Sequence, residues 1–354
     1  MVPDTSHEAL ADTVRFVVLG PGKMANSIMP DFRFVDGVEV VAVGGRSSEK
    51  TLAFAERWDI PTAIGLEHSR QVDADIVYVA TSPAHHMAAA MLAFEWGMGA
   101  LVEKAFSRSS ADAQPAIEAS RRDGRFLMEA MWMRFNPHIR AAVAAVAAGE
   151  VGEPRLLTAS FGRPVPYDPP HRLWNAEQGG GTLLDHTVYP LALADLFFGQ
   201  PESVQVLGTT TGFHGEDRGV VTEAAVLLGY PSGAQAVSTT SIRAKLVPAA
   251  VLSGSAGAIV FDEPFWSANG FTIRSASGAV HRVDTVRDGA GWAPMLRGVR
   301  DAYRRGLTEH PLSPMSATMR VMGVLDAIGA QITGEAMARP RVTPSRPTAA
   351  PGTR

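Results

Sequence analysis

Residues Val14-Arg15-Phe16-Val17-Val18-Leu19-Gly20-Pro21-Gly22-Lys23-Met24-Ala25 carry the reading that decides the fold. A short apolar run ending in Gly20-Pro21-Gly22 predicts a buried strand, Val14 to Leu19, that turns sharply into a helix. In the spacing Gly20-x-Gly22-x-x-Ala25, Gly20 allows the tight bend, Gly22 lets a pyrophosphate approach the backbone, and Ala25 keeps helix and strand close. Lys23 and Met24 open the helix, whose unpaired N–H groups and partial positive charge suit phosphate. A purely structural turn would use the same residues, but the strand-to-helix context favours a dinucleotide.

Outward from this turn the grammar repeats. Val38 to Val43 and Ile76 to Ala80 read as further buried strands, followed by a helix over Met87 to Trp96 and a small strand over Ala100 to Val102. A helix over Ala111 to Arg122 and a strand over Phe126 to Met128 complete the series. Strands alternating with helices imply a parallel sheet covered on both faces. After about Pro137, strands dominate: Arg155 to Phe161, Ser203 to Thr211, Val220 to Gly229 and Ala234 to Ile242, the last two joined by the turn Tyr230-Pro231-Ser232-Gly233. Ala249 to Phe261 and Phe271 to Val283 extend the pattern, and Ser313-Pro314 reads as N-cap and N1 of a helix reaching about Thr333. The expected class is α/β: a doubly wound Rossmann domain over 13–136, then an α+β domain over 137–338 with a large, mostly antiparallel open sheet. Residues 1–12 read as a flexible tail and the proline-rich 339–354 as a disordered one.

A chain of 354 residues, 46% hydrophobic and 19% charged, has the composition of a globular protein of two domains. Its formal charge of -4 offers no global attraction to nucleic acid or to anionic lipid. The absence of cysteine excludes disulfides, thiolate catalysis and Cys-based zinc sites, and fits a reducing compartment, with the cytoplasm the simplest expectation. Met1 to Asp12 lacks the form of a signal peptide. No run approaches the roughly 20 apolar residues of a membrane span. The scattered histidines show no metal-ligand spacing, so no catalytic metal is expected.

An NAD site usually carries an acid about 20 residues beyond the glycines, to bind the ribose 2'-hydroxyl. Here the second strand ends in Gly44-Gly45-Arg46-Ser47. The planar fork of Arg46, with Ser47 and Lys50, suits a 2'-phosphate and favours NADP over NAD. A solvated arginine starting a helix is the other reading.

Two clusters carry the chemistry. Val102-Glu103-Lys104-Ala105 ends a strand at the carboxyl edge of the sheet, where open parallel sheets place ligands. In Gly179-Gly180-Gly181-Thr182-Leu183-Leu184-Asp185-His186-Thr187-Val188-Tyr189-Pro190 the glycines permit close backbone approach, and Asp185 and Tyr189 share a helical face. Pro190 cannot donate to His186 and crowds it, which predicts a distorted helix. Asp185 as a first-turn acid and Tyr189 as a core residue would fit equally well.

Taken together, the Gly20 turn, Val77-Tyr78-Val79-Ala80-Thr81 with His86, Glu103-Lys104, the block Met128-Glu129-Ala130-Met131-Trp132-Met133-Arg134-Phe135-Asn136-Pro137, and Gly179 to Tyr189 resemble the Gfo/Idh/MocA oxidoreductases along nearly the whole chain. The Met128 block and Tyr189 are most similar to the subgroup of dimeric dihydrodiol dehydrogenases and NADP-dependent xylose dehydrogenases. The resemblance implies catalysis by Lys104, Asp185 and Tyr189, a dinucleotide held also by Ala80, Thr81, Ser82, His86 and Glu103, and a substrate pocket lined by Trp132, Arg134, His171, Arg172 and His186. It further implies a homo-oligomer formed through the second sheet. The substrate class would be a sugar, cyclic polyol or vicinal diol. Glycoside cleavage with transient use of the cofactor, or non-catalytic cofactor sensing, remain alternatives on the same fold.

Tyrosine, with an ordinary pKa near 10, needs help to act as a base, and a Lys104 ammonium would lower that value. Ala105 stands where the family usually has proline, often in a cis bond. A non-proline cis bond costs about 2.5 to 4 kcal/mol, so both isomers stay open. His186 replaces a small or aliphatic residue, and a packed ring facing away from the site is favoured over a second titrating group.

Overall fold

The computed structural model describes residues 13–65, 72–211 and 219–334. The first sheet has the order β3-β2-β1-β4-β5-β6, all parallel: β1 Val14–Leu19, β2 Val38–Gly44, β3 Thr62–Ile64, β4 Ile76–Val79, β5 Gly99–Val102 and β6 Leu127–Glu129. Its central strands β4 and β5 are buried along their whole length, as continuous apolar runs require when helices cover both faces. Those helices are α1 Lys23–Arg33, α2 Ser48–Trp58, α3 His86–Glu95 and α4 Ser110–Asp123. Ser47 caps α2, its hydroxyl accepting from the Lys50 amide. The half-buried strand β3 has too few apolar residues to be visible in the sequence.

The second sheet has the order β14-β13-β12-β11-β7-β10-β9-β8. Its strands are β7 Pro154–Gly162, β8 Ser203–Thr211, β9 Val220–Gly229, β10 Gln235–Ser241, β11 Ala250–Gly254, β12 Gly257–Phe261, β13 Gly270–Ser275 and β14 Val280–Asp284. Only β7 and β10 run parallel; the other pairs are antiparallel. The run Ala249 to Phe261 is two strands, because Ser255 and Ala256 turn to pair with Glu153 and Val151. Phe271 to Val283 is likewise a hairpin, turning at Gly278 (φ +90°). Along β9, Val220, Thr222, Ala224, Val226 and Leu228 are buried in strict alternation. The buried face meets helices α5 Pro137–Ala147, α6 Val188–Phe198 and α8 Met315–Thr333.

Helix α7 (Ala293–Arg304) returns to the first sheet and packs on α1 and β1. The Asp31 carboxylate in α1 accepts from the amides of Ala290 (2.8 Å), Trp292 (2.6 Å) and Ala293 (3.0 Å), capping α7 from outside its own sequence. Pro314 takes the N-cap place of α8 instead of Ser313, whose hydroxyl is drawn to the Glu129 carbonyl (3.4 Å). The predicted tails, 1–12 and 339–354, lie outside the described residues.

Candidate active site

The turn after β1 is built as its spacing requires. Gly20 has φ +97°, and a Cβ there would lie 2.9 Å from the Ala80 carbonyl oxygen at the end of β4. A Cβ on Gly22 would meet nothing within 4 Å. The exposed Gly22 and Lys23, with half-buried Met24, therefore border open space over the N-terminus of α1, while Ala25 is buried against the strand. This is the shape that a pyrophosphate needs. At the tip of β2, Arg46 is exposed and forms no ion pair among the described residues.

On the neighbouring edge, Ala80 is buried and Thr81 and Ser82 are half-buried. The Ser82 hydroxyl donates to Gln178 Oε1 (2.6 Å) and contacts His85 Nδ1 (2.9 Å), tying this edge to the loop ahead of the three glycines. His86 is fully buried, with Nε2 3.1 Å from the Thr81 carbonyl and Nδ1 2.9 Å from that of Ala105. It braces the two loops from behind, and burial pushes its pKa down to about 4. Glu103 is also buried; it accepts from the Tyr78 hydroxyl (2.6 Å) and the Lys104 amide (3.2 Å), and burial raises its pKa to about 7.

The structure brings Lys104, Asp185 and Tyr189 together. Lys104 Nζ lies 3.6 Å from Asp185 Oδ1, donates to the Asp185 carbonyl (3.1 Å) and stands 4.8 Å from the centre of the Tyr189 ring. Of the two isomers left open at Lys104–Ala105, the bond is cis. The distortion expected near Pro190 is a π-helical turn, Leu183–Thr187, leading into α6. The close approach at the glycines is to the protein's own backbone: a Cβ on Gly181 (φ +90°) would lie 2.8 Å from the Val221 carbonyl oxygen.

Burial opposes charge on Asp185, but Lys104, Arg172 and His186 outweigh it and hold the carboxyl well below the usual range. Lys104 is raised: burial works against its charge, yet Tyr189, Asp185 and Glu103 favour it more. Tyr189 departs from expectation, because its pKa is raised. Lys104 and Trp132 pull it down, but desolvation of a buried phenol is the larger effect, so the resting tyrosine holds its proton.

The predicted substrate residues divide. Arg172 NH2 donates to Asp185 Oδ1 (2.8 Å), beside half-buried Lys104. Exposed His171 accepts from the Leu173 amide (3.2 Å), shaping the turn that presents Arg172. The Trp132 indole donates to the Tyr189 hydroxyl (3.0 Å). Arg134 is committed elsewhere: buried, it pairs with Asp195 (2.8 Å), which also holds Arg320 (2.6 Å). His186 is packed as favoured, its ring 4.2 Å from Phe161, with Nδ1 on the Ser241 carbonyl (3.0 Å). Its Nε2, however, faces Asp185 Oδ2 at 3.4 Å, and burial lowers its pKa to about 4.

Phe161, Trp266 and Trp292 were not singled out in the sequence. The first two rings stack 4.1 Å apart and wall Tyr189, at 5.8 and 5.5 Å, while Trp292 lies 4.9 Å from Trp132. The inward parity of Phe161 at the end of β7 was a usable signal. For the two tryptophans, far along the chain, there was none.

The geometry agrees with comparison to known proteins. Residues 14–131 match the oxidoreductase family with an NAD-binding Rossmann fold, and residues 139–260 match the GFO/IDH/MocA C-terminal domain. The chain belongs to the Gfo/Idh/MocA family. It is an oxidoreductase of that family acting on CH–OH groups, with a Rossmann domain for a nicotinamide dinucleotide. A trans-1,2-dihydrobenzene-1,2-diol dehydrogenase of Bos taurus is 28% identical over 89% of this chain and 96% of its own. Among solved structures, aldose-aldose oxidoreductase from Caulobacter crescentus superposes with a TM-score of 0.81 at 24% identity, over 91% of this chain and 98% of its own. A 3-ketoreductase from Actinomadura kijaniata, in complex with NADP and TDP-benzene, gives 0.78 at 25% identity, over 90% and 97%. Among the described residues no helix is long and apolar enough to cross a membrane.

Proposed function

We propose that this Gfo/Idh/MocA protein is an NADP-dependent dehydrogenase or reductase of a secondary alcohol or carbonyl on a sugar, cyclic polyol or vicinal diol. Its catalytic set would be Lys104, Asp185 and Tyr189. The observation that carries the reading is the placement of the Lys104 ammonium between the Asp185 carboxylate and the Tyr189 ring, at 3.6 and 4.8 Å, on the edge of the nucleotide-binding sheet. The dihydrodiol dehydrogenase and ketoreductase relatives support the substrate class and the unpaired Arg46 supports NADP.

NADP, when bound, takes or gives the hydride. In the direction of reduction, Tyr189 hands its phenolic proton to the carbonyl oxygen, and the phenolate so formed is stabilised by the Lys104 ammonium and the Trp132 N–H. Oxidation runs the same transfer backwards, with the phenolate accepting the hydroxyl proton. Asp185, held by Lys104 and Arg172, orients the lysine and offers an acceptor to a substrate hydroxyl. Gly20, Gly22, Lys23, Met24 and Ala25 would hold the pyrophosphate, with Arg46 and Ser47 on the 2'-phosphate.

The open face of the second sheet supports a homo-oligomer: Leu207 is 82% exposed, and Leu227 lies opposite Val237 on that surface. A cytoplasmic setting is supported by the lack of cysteine. The test is a screen of NADP+ and NAD+ reduction over sugars, inositols and diols. NADP+ reduction with at least one of them, with selectivity over NAD+ reduced in Arg46→Ala, is expected; turnover with NAD+ preferred and indifferent to Arg46 would overturn the cofactor assignment.

A further inference from the structure

Arg163 is placed by the same carbonyl that orients His186. Beyond β7 the chain stays paired to the end of the neighbouring strand β10, the Arg163 amide donating to Ser241 O (3.1 Å) and the Val165 amide to Ile242 O (2.8 Å). That Ser241 carbonyl also accepts from His186 Nδ1 (3.0 Å). In extended chain, alternate side chains share a face, so Arg163 leaves on the side of Phe161, whose ring lies 4.2 Å from His186. Its guanidinium acts on His186, opposing protonation of the ring. It is exposed and has no ion pair among the described residues.

Arg172 approaches the same acid from the other side. One of its nitrogens is on Asp185 Oδ1, and its side chain is 38% exposed, leaving further donors free. Around the reacting centre, Lys104 and Arg172 meet Asp185, Lys104 is also drawn to Glu103, and Arg163 adjoins the neutral His186, so three cations stand against two acids. Nearby Arg243 is offset by Glu223 at 3.8 Å. Asp168 and Glu177, on the loop that carries Arg172, are exposed and pair with neither arginine. The cofactor phosphates have their own seats at the Gly20 turn and Arg46, and so do not account for this excess. A guanidinium without an acid partner, beside a second one with donors to spare, is the chemistry that recognises a carboxylate or phosphoryl oxygen.

We propose that Arg163, together with Arg172, binds an anionic group carried by the substrate, so that the preferred substrates are sugar acids or sugar phosphates. This rests on the reading of the site as a sugar or diol dehydrogenase. It is tested by binding, which does not require that reading's turnover.

The experiment is calorimetric titration of the NADPH-loaded protein with D-glucuronate, D-glucose 6-phosphate and D-glucose, with inorganic phosphate as the control for a free anion. At least one anionic sugar is expected to bind about tenfold or more tighter than glucose and than inorganic phosphate, as charged hydrogen bonds allow. Arg163→Ala should reduce that ratio about tenfold and Arg163→Lys less, with salt weakening the anionic sugar selectively. The tighter of the two anionic sugars identifies the group. Equal affinity for all three sugars, no binding of either anionic sugar, or a ratio untouched by Arg163→Ala would overturn the proposal. Failure of every alcohol to reduce NADP+ while the anionic preference held would count against the reaction, not against the anion site.

Discussion

The indole N–H of Trp132 donates to the hydroxyl oxygen of Tyr189 across 3.0 Å, with both side chains buried. A donor so placed favours the phenolate, and with Lys104 it opposes the desolvation that raises the tyrosine. Trp132→Phe keeps an aromatic side chain and removes the donor. Since a hydrogen bond to a charged group contributes about 1.5–3 kcal/mol, and one pKa unit is 1.36 kcal/mol, the limb of alcohol oxidation that reports the phenolate should move up by about one to two pH units. The pH profile of kcat measures this. An unmoved limb would show that the contact is only packing.

The two glycines of the phosphate turn should fail in different ways. Gly20→Ala places a Cβ 2.9 Å from the Ala80 carbonyl oxygen at φ +97°, so it should destabilise the fold by about 1–2 kcal/mol or more. A Cβ on Gly22 meets no atom within 4 Å, so Gly22→Val should leave the melting temperature nearly unchanged while weakening NADP binding about tenfold or more. Thermal unfolding and cofactor titration of both variants separate the two effects.

Glu103 has a folded pKa of about 7 against a usual 4.5, because burial disfavours its charge. A raised acid contributes stability that is complete below pH 4.5 and lost as the pH rises through 7. Glu103→Gln cannot ionise. Relative to the parent it should gain about 3 kcal/mol between pH 4.5 and 8, at 1.36 kcal/mol per unit. Urea unfolding of both proteins across that range gives the difference directly, and parallel curves would contradict the buried, proton-holding carboxyl.

Asp195 neutralises Arg134, whose side chain is 5% exposed, and also holds Arg320. Asp195→Ala leaves a buried guanidinium without its counter-charge, which should cost about 3–5 kcal/mol. Arg134→Met should cost less, since Asp195 keeps Arg320. Denaturant unfolding ranks the two, and the reverse order would mean that Arg134 serves something beyond this pair.

What was legible in the sequence follows from the range of the interactions. The strand-turn-helix at Gly20 is written in adjacent residues, and β1 runs from Val14 to Leu19 as its apolar run implies. Lys104, Asp185 and Tyr189 were reached through short motifs whose context the family supplies. Arg134 sits in an equally suggestive motif, yet its partner Asp195 lies far along the chain and takes it out of the pocket. The raised pKa of Tyr189 was hidden for a similar reason. The charge of Lys104 could be inferred from sequence, but the desolvation by distant Phe161 and Trp266 could not.

The central claim, hydride transfer with Tyr189 moving the proton beside Lys104, is met most directly by isotope transfer. The protein is incubated with NADP+ and the best alcohol from the screen, deuterated at the reacting carbon, and the nicotinamide is read by mass spectrometry. The account predicts one deuterium on the reduced cofactor, in step with carbonyl product, and a rate about 10²–10⁴-fold lower in Tyr189→Phe and Lys104→Ala. Product formed without deuterium in the cofactor, or full rates in both variants, would contradict it.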